Sequence, residues 1–356
     1  MSAAGNRAEI VRAHFRRQAA SCAQLGSPFT AALLEGLAER MRPLGRIETR
    51  LLSWPGDPGD DALALRAAGA LHALAREGRD AGVSAAWPPG AEGDPVAAAL
   101  AAFERHADWL DPWLDGPPQT NETGRSGALL GGLLALAERT GGMPVDLLEI
   151  GASAGLNQNL DGFRYDFGEE RGWGEADSPV RVRHAWRGAA SVLDARLGAR
   201  LEIAARAGCD QSPLDPADPA ARARLAAYVW PDQAERLARA EAAMALAVAR
   251  PRPVEKADAA GWIEARLAAP QAEGVARVVM HSIMWQYMPG ATQDRIATAL
   301  AGAASRASER RPLAWLRMEP DGREGSAALT LTLAPAGGEQ TLARTDYHGR
   351  WTDWAR

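Results

Sequence analysis

Val145-Asp-Leu-Leu-Glu-Ile-Gly-Ala-Ser-Ala-Gly-Leu-Asn157 decides how the rest of the chain is read. Val145 to Ile150 is an apolar run interrupted only by Asp146 and Glu149, which predicts a buried strand. The glycines at 151 and 155 end it in a tight turn, and Leu156 to Leu160 can begin a helix. A strand, a Gly-rich turn and a helix place unpaired backbone N–H groups at the C-terminal edge of a parallel sheet, where nucleotide-like ligands dock. The stretch is therefore expected to be the floor of a small-molecule site.

Working outward, residues 141–356 alternate strand and helix patterns. Strands are expected at Ala199 to Asp210, Pro253 to Ala259, Val275 to Ile283 and Pro312 to Met318, with a terminal hairpin formed by Ala327 to Leu333 and Gln340 to Ala343. Helices are expected at Pro219 to Val229, Pro231 to Ala249, Ala260 to Ala268 and Thr292 to Ala304. This alternation predicts an α/β fold with a mostly parallel sheet and a closing antiparallel pair. An insertion at about 161–198 breaks it, and its Phe167-Gly-Glu-Glu-Arg-Gly-Trp-Gly174 run reads as irregular, a lid or an arm on the helical part.

Residues 1–140 read as an N-terminal helical cap. Ile10 to Ala23, Phe29 to Met41, Asp60 to Arg76, Pro95 to Leu110 and Gly127 to Arg139 repeat apolar residues at three- and four-residue spacings between Pro/Gly breaks. Arg46 to Leu52 alternates imperfectly and reads as a strand. The polar cluster Gln119-Thr-Asn-Glu-Thr-Gly-Arg125 lies just upstream of the glycine strand. It has two readings: a helix cap built on Thr120 or Asn121, or a loop whose Asn121, Glu122 and Arg125 reach the ligand.

Composition narrows the function. The net charge is −5 and the pI about 5.8, which argues against a general nucleic-acid or membrane-surface binder and leaves a small molecule as the expected partner. Lys256 is the only lysine, and the Arg/Ala richness reads as GC-rich coding bias. Cys22 and Cys209 are far apart and form no CxxC pair, and the histidines show no ligand spacing, so neither a disulfide framework nor a metal is expected. Met1 to Arg17 lacks an apolar core of the signal-peptide kind, and no apolar run reaches the ~18 residues of a membrane span. A cytoplasmic protein of open oligomeric state is expected.

Three chemistries fit the glycine stretch. In an S-adenosylmethionine site, Glu149 orients the ligand ammonium, Asp210 holds the ribose hydroxyls, and the Asp258-Ala259 step grips the adenine amino group. In an α/β-hydrolase, Gly151-Ala-Ser-Ala-Gly155 is a nucleophile elbow, with Ser153 completed by Asp321 and His348. Against this, the upstream region looks helical where a hydrolase has strands. In a dinucleotide fold the middle glycine would stand where Ser153 stands.

Several blocks carry a family resemblance. Leu148-Glu-Ile-Gly-Ala-Ser-Ala-Gly-Leu-Asn157, Thr120-Asn-Glu-Thr-Gly-Arg125, Tyr228-Val-Trp-Pro-Asp-Gln233, His281-Ser-Ile-Met-Trp-Gln-Tyr287 and Trp315-Leu-Arg-Met-Glu-Pro320 resemble the hallmark blocks of the bacterial domain-of-unknown-function family 2332. The resemblance implies a fold similar to Rossmann-like, class I methyltransferases. The expectation is then a methyltransferase acting on a small molecule, with a non-catalytic binding or regulatory protein on the same fold as the alternative. Glu149, Gly151, Ser153, Gly155, Asn157, Asp210, Asp258 and Ala259 would hold S-adenosylmethionine, and His281, helped by Glu122 or Arg125, would take or orient the acceptor's proton. The Asn/Asp-Pro-Pro-aromatic motif of amino-modifying methyltransferases is absent at His281. Asp232 and Gln233 read as caps of the following helix or as residues that approach the ligand, and Arg317 with Glu319 as a salt bridge or a site pair.

Overall fold

A computed structural model describes residues 3–90 and 92–355. The chain divides into two compact units, one made of the described residues of Met1–Thr120 with Pro219–Ala238, the other of Asn121–Asp218 with Arg239–Arg356.

The first unit is helical. Its main helices are Ala3–Gln24, Pro28–Arg40, Arg46–Leu52, Leu63–Arg76, Pro95–Arg105 and Pro219–Ala227. They enclose a core that includes Phe15, Leu34, Leu37, Leu51, Leu71, Phe103 and Trp230. Arg46–Leu52 corrects the strand reading: Ile47, Leu51 and Leu52 are buried together, a helical face that short-range alternation concealed. Asp232 is a second correction, because it serves a helix distant in sequence. Its carboxylate accepts from the Ser27 hydroxyl (2.5 Å) and the Phe29 N–H (2.9 Å) at the start of Pro28–Arg40. Gln233 donates to the Leu25 carbonyl at 3.1 Å.

The second unit is α/β. Its strands are β1 Val145–Ile150, β2 Arg164–Gly168, β3 Arg171–Gly174, β4 Arg181–Arg183, β5 Ala185–Arg187, β6 Ile203–Asp210, β7 Val254–Lys256, β8 Ala276–Ser282, β9 Leu313–Pro320, β10 Ala327–Ala334, β11 Glu339–Thr345 and β12 Trp351–Trp354. Nine of them form one sheet in the order β5-β12-β11-β10-β9-β8-β1-β6-β7. β7, β6, β1, β8 and β9 are parallel neighbours, with the central β1 and β8 buried along nearly their whole length. From β9 to β12 the pairing is antiparallel, a meander longer than the expected hairpin, and β5 from the insertion closes that edge parallel to β12.

The helices Ala259–Ala268 and Gly290–Ala304 cover one face of this sheet, packing Trp262, Ile263, Ile296 and Leu300 on Leu148, Ile150, Cys209 and Val279. The helix Ser126–Thr140 is buried along Ser126–Ala137 and packs on β9 and β10 within this unit. A helix apolar on every side is buried along its length.

The 161–198 insertion is regular where irregularity was expected. β2 and β3 form a hairpin across Glu169 and Glu170, both at positive φ (51° and 62°), the geometry of a two-residue type I′ turn. Within the second unit the insertion packs on the helix Ser126–Thr140, which the sequence placed in the helical part, and on β12. Phe167 stacks on Trp186 at 3.8 Å, Trp186 meets Trp354 edge-on at 5.1 Å, and the Trp186 indole donates to the Gly127 carbonyl.

Candidate functional site

The strand order reverses direction between β1 and β8, because β6 and β7 lie to one side of β1 while β8 and β9 lie to the other. In open parallel sheets ligands bind beyond the C-terminal strand ends at such a switch. The two ends meet there: Gly151 follows β1 with φ of 67°, and a Cβ on it would fall 2.9 Å from Met284, which follows β8. Gly155 is also left-handed (φ 67°), and its added Cβ would lie 2.9 Å from Val254 of β7. Ser153, between them, holds a positive φ of 54° without being glycine.

Four of the turn's N–H groups are engaged, which removes them from the expected backbone cradle. Ala152 N–H donates to the Cys209 carbonyl (3.0 Å), Ser153 N–H to Asp210 Oδ2 (2.9 Å), Gly155 N–H to the Ala152 carbonyl (2.7 Å) and Leu156 N–H to Asn121 Oδ1 (2.9 Å). Asp210 spends its other oxygen on the Ser212 N–H at 2.9 Å. The loop is thus held by side chains from β6 and from the 119–125 cluster. An anion seeking backbone donors finds these four already engaged.

Polar side chains are left without protein partners instead. Glu149 Oε2, Ser153 Oγ, Asn157 Oδ1 and both amide atoms of Gln158 are buried without a hydrogen-bond partner among the described residues. Such atoms are rare in native interiors, and a run of them beside a switch point marks groups waiting for a ligand or water. Glu149 is the most consequential. Burial, reinforced by the charge of Asp210, pushes its carboxyl up to about 8, with Gln158 acting in the opposite sense.

The other expected residues have defined places. Glu122, buried, accepts from Gly124 N–H (2.8 Å) and from the Arg239 guanidinium (3.0 Å). Its carbonyl accepts from Asn157 Nδ2 at 3.4 Å. Arg125 donates to the Tyr347 carbonyl (2.9 Å) and to the Ser282 carbonyl at the end of β8 (3.4 Å). The 119–125 cluster thereby ties the glycine turn to the end of β8. Asp258, exposed, accepts from Gly261 N–H (3.0 Å) as N-cap of Ala259–Ala268, and Arg295 lies 3.6 Å away. Ala259 is the first residue of that helix.

His281 is buried at the end of β8 with both ring nitrogens engaged. The Trp315 indole N–H, which can only donate, gives to Nε2 at 3.0 Å, so Nδ1 carries the proton and donates to Glu319 Oε1 at 2.6 Å. Sequence reasoning paired Arg317 with Glu319 as one option, but Arg317 pairs with Glu339. Gln158, Met284 and Trp315 were not singled out as site residues, since only strand adjacency brings them to the glycine turn or to His281.

The hydrolase constellation is not assembled among the described residues: Ser153 Oγ has no hydrogen-bond partner there, and Asp321 is bonded to Arg344. Among the described residues no group of three His, Cys, Asp or Glu side chains is placed to hold a metal, and no helix is long and apolar enough to cross a membrane.

The fold and switch-point loop describe an α/β protein with a mostly parallel central sheet and a buried carboxylate oxygen beside the switch point. Residues 12–354 match the model of the family described as an uncharacterized protein conserved in bacteria, DUF2332, and the chain belongs to that family. No curated protein and no solved structure matches the chain.

Proposed function

We propose that this chain binds S-adenosylmethionine at the β1 turn and transfers its methyl group to a small molecule. The observation that carries this reading is the charge character of the site. Four of the turn's N–H groups are satisfied internally, while Glu149, in reach of the field of Asp210, has a buried oxygen with no hydrogen-bond partner among the described residues. Such a site disfavours polyanionic dinucleotides and favours a compact ligand that presents an ammonium. The parallel order β7-β6-β1-β8-β9, read from third strand to first and then outward, is the arrangement of a Rossmann-like sheet and supports the same class.

The residues fit the donor in part. Glu149 would accept its ammonium, and Ser153 Oγ and the free lone pairs of Asp210 would meet its hydroxyls. Gly151 and Gly155 keep the turn low beneath it. Asp258 is already a helix cap open to solvent, so the adenine role is not carried over to it. When bound, S-adenosylmethionine supplies a methyl group on a sulfonium centre. The protein's own contribution is to align donor and acceptor and to keep water from the Glu149 carboxyl.

One observation favours binding without turnover as a second reading: His281 has no free lone pair to act as a base. Competition dialysis tests the main proposal. S-adenosylmethionine and S-adenosylhomocysteine should bind and displace one another, whereas NAD and ATP at the same concentration should not. Binding of NAD or ATP in preference to both would overturn it. Release of S-adenosylhomocysteine over repeated turnovers with an amine library separates the enzyme from the non-catalytic binder.

A further inference from the structure

Beyond the donor turn, the ends of β8 and β9 build a second group of residues that the donor does not use. His281 stacks on Trp285 (centroids 5.2 Å apart, planes 15° apart), and Trp285 meets Trp315 at 5.4 Å. Glu319 closes the group. Its Oε1 takes two donors, the His281 Nδ1–H at 2.6 Å and the Met284 backbone N–H at 3.2 Å, while its Oε2 is buried and has no partner among the described residues. A carboxylate oriented through one oxygen and left open at the other is a fixed acceptor awaiting a donor.

The surroundings indicate which donor. Arg317 lies over the Trp315 ring at 4.0 Å with its guanidinium paired to Glu339, and Arg125 donates to the Ser282 carbonyl. No described cation lies over Trp285, whose ring is half-buried. Ile283, β-branched, is held at φ of 50° between His281 and Met284, a costly conformation of the kind retained where a loop must aim its neighbours. A carboxylate beside a partly open indole is the pairing that recognises organic ammonium groups.

We propose that this corner is an amine subsite, in which a small organic ammonium packs on Trp285 and donates a hydrogen bond to Glu319 Oε2. This assignment rests on the methyl-transfer reading only for calling the amine the acceptor; the binding itself stands alone. His281 is then a positioning residue that orients Glu319, and it need not move a proton.

The test uses the full chain and two probes of the same shape, benzylamine, cationic at neutral pH, and benzyl alcohol, with dissociation constants from ligand-observed NMR. The wild-type protein should prefer the ammonium by roughly tenfold or more, as a partly buried carboxylate does. Glu319→Gln keeps an amide oxygen for His281 and Met284 and replaces Oε2 with a donor, so it should abolish the preference. Trp285→Leu should weaken the ammonium by about threefold and the alcohol less. Equal affinity for the two probes in the wild type, or an unchanged preference in Glu319→Gln, overturns the subsite. Should Glu319→Gln not fold, an ammonium affinity unchanged in Trp285→Leu overturns it. Titration of the same proteins with S-adenosylhomocysteine separates the two proposals: ammonium preference without nucleoside binding sinks the donor reading and leaves the subsite, and the reverse does the opposite.

Discussion

Glu149→Gln should make the protein more stable at alkaline pH while leaving it nearly unchanged in mild acid. The Glu149 carboxyl titrates near 4.5 in an unfolded chain and is pushed to about 8 in the folded one by burial and by Asp210. Between those values the unfolded chain holds fewer protons than the folded one. Stability from this group is therefore fully present below about 4.5 and is lost as pH rises towards 8. At about 1.4 kcal/mol per unit, the loss is roughly 1 kcal/mol by pH 5 and about 4 kcal/mol by pH 8. Glutamine is isosteric and never ionises, so it escapes that loss. Urea unfolding of wild type and variant at both pH values isolates the term, because every other titrating group cancels in the difference. The variant's advantage should grow by about 3 kcal/mol from pH 5 to pH 8. An advantage that stays constant within about 1 kcal/mol would refute the desolvated state of Glu149.

Three further outcomes follow from the same geometry. Gly151→Ala combines a left-handed φ with a Cβ 2.9 Å from Met284 and should cost about 2 kcal/mol in urea unfolding; adding Met284→Ala should recover the crowding part but not the backbone part. Burial drives His184, bonded to Thr352 Oγ1 at 2.7 Å, down to about 4, so its stability is present above about 6.5 and lost as pH falls, by roughly 3 kcal/mol; His184→Asn should flatten the stability profile in that window. Arg239→Met removes the guanidinium bonded to buried Glu122 and should cost about 3 kcal/mol, and a further Glu122→Gln should restore more than half of it.

What the sequence made legible were features written in short-range pattern. β1 and β8 announced themselves as apolar runs, β6 as a segment ending in Asp210, and the turn after β1 through its glycines. Arg46–Leu52 misled because Ile47, Thr49 and Leu51 alternate like a strand, while the deciding fact, burial of Leu52 beside Leu51, is tertiary. The β2–β3 hairpin hid because its type I′ turn is made by Glu169 and Glu170, residues that rarely accept positive φ, where Asn-Gly would have been read at once. Asp232 was assigned to the helix that follows it, yet its bonds cross to Ser27 and Phe29, a choice only packing could make. At the site, Glu149 and the glycines were found by motif, but the engagement of the turn's N–H groups by Asn121 and Asp210 depends on where two other segments arrive. The His281, Trp315 and Glu319 group was legible only as separate residues, since β8 and β9 lie in register by way of a helix between them.

These differences shift the chemical emphasis from backbone to side chains. A glycine turn with four of its N–H groups engaged offers few donors to a phosphate, and the proposed site relies on Glu149, Ser153 and Asp210 instead. If Glu149 receives a ligand ammonium, the proton it holds at neutral pH must leave as the ion pair forms. Calorimetric titration with S-adenosylhomocysteine at pH 7, repeated in buffers of different ionisation enthalpy, counts that proton. The expected result is release of about 0.9 proton per ligand bound in the wild type, from a group titrating near 8, and none in Glu149→Gln. Binding without proton release, or no binding by the folded protein at millimolar ligand, would contradict it.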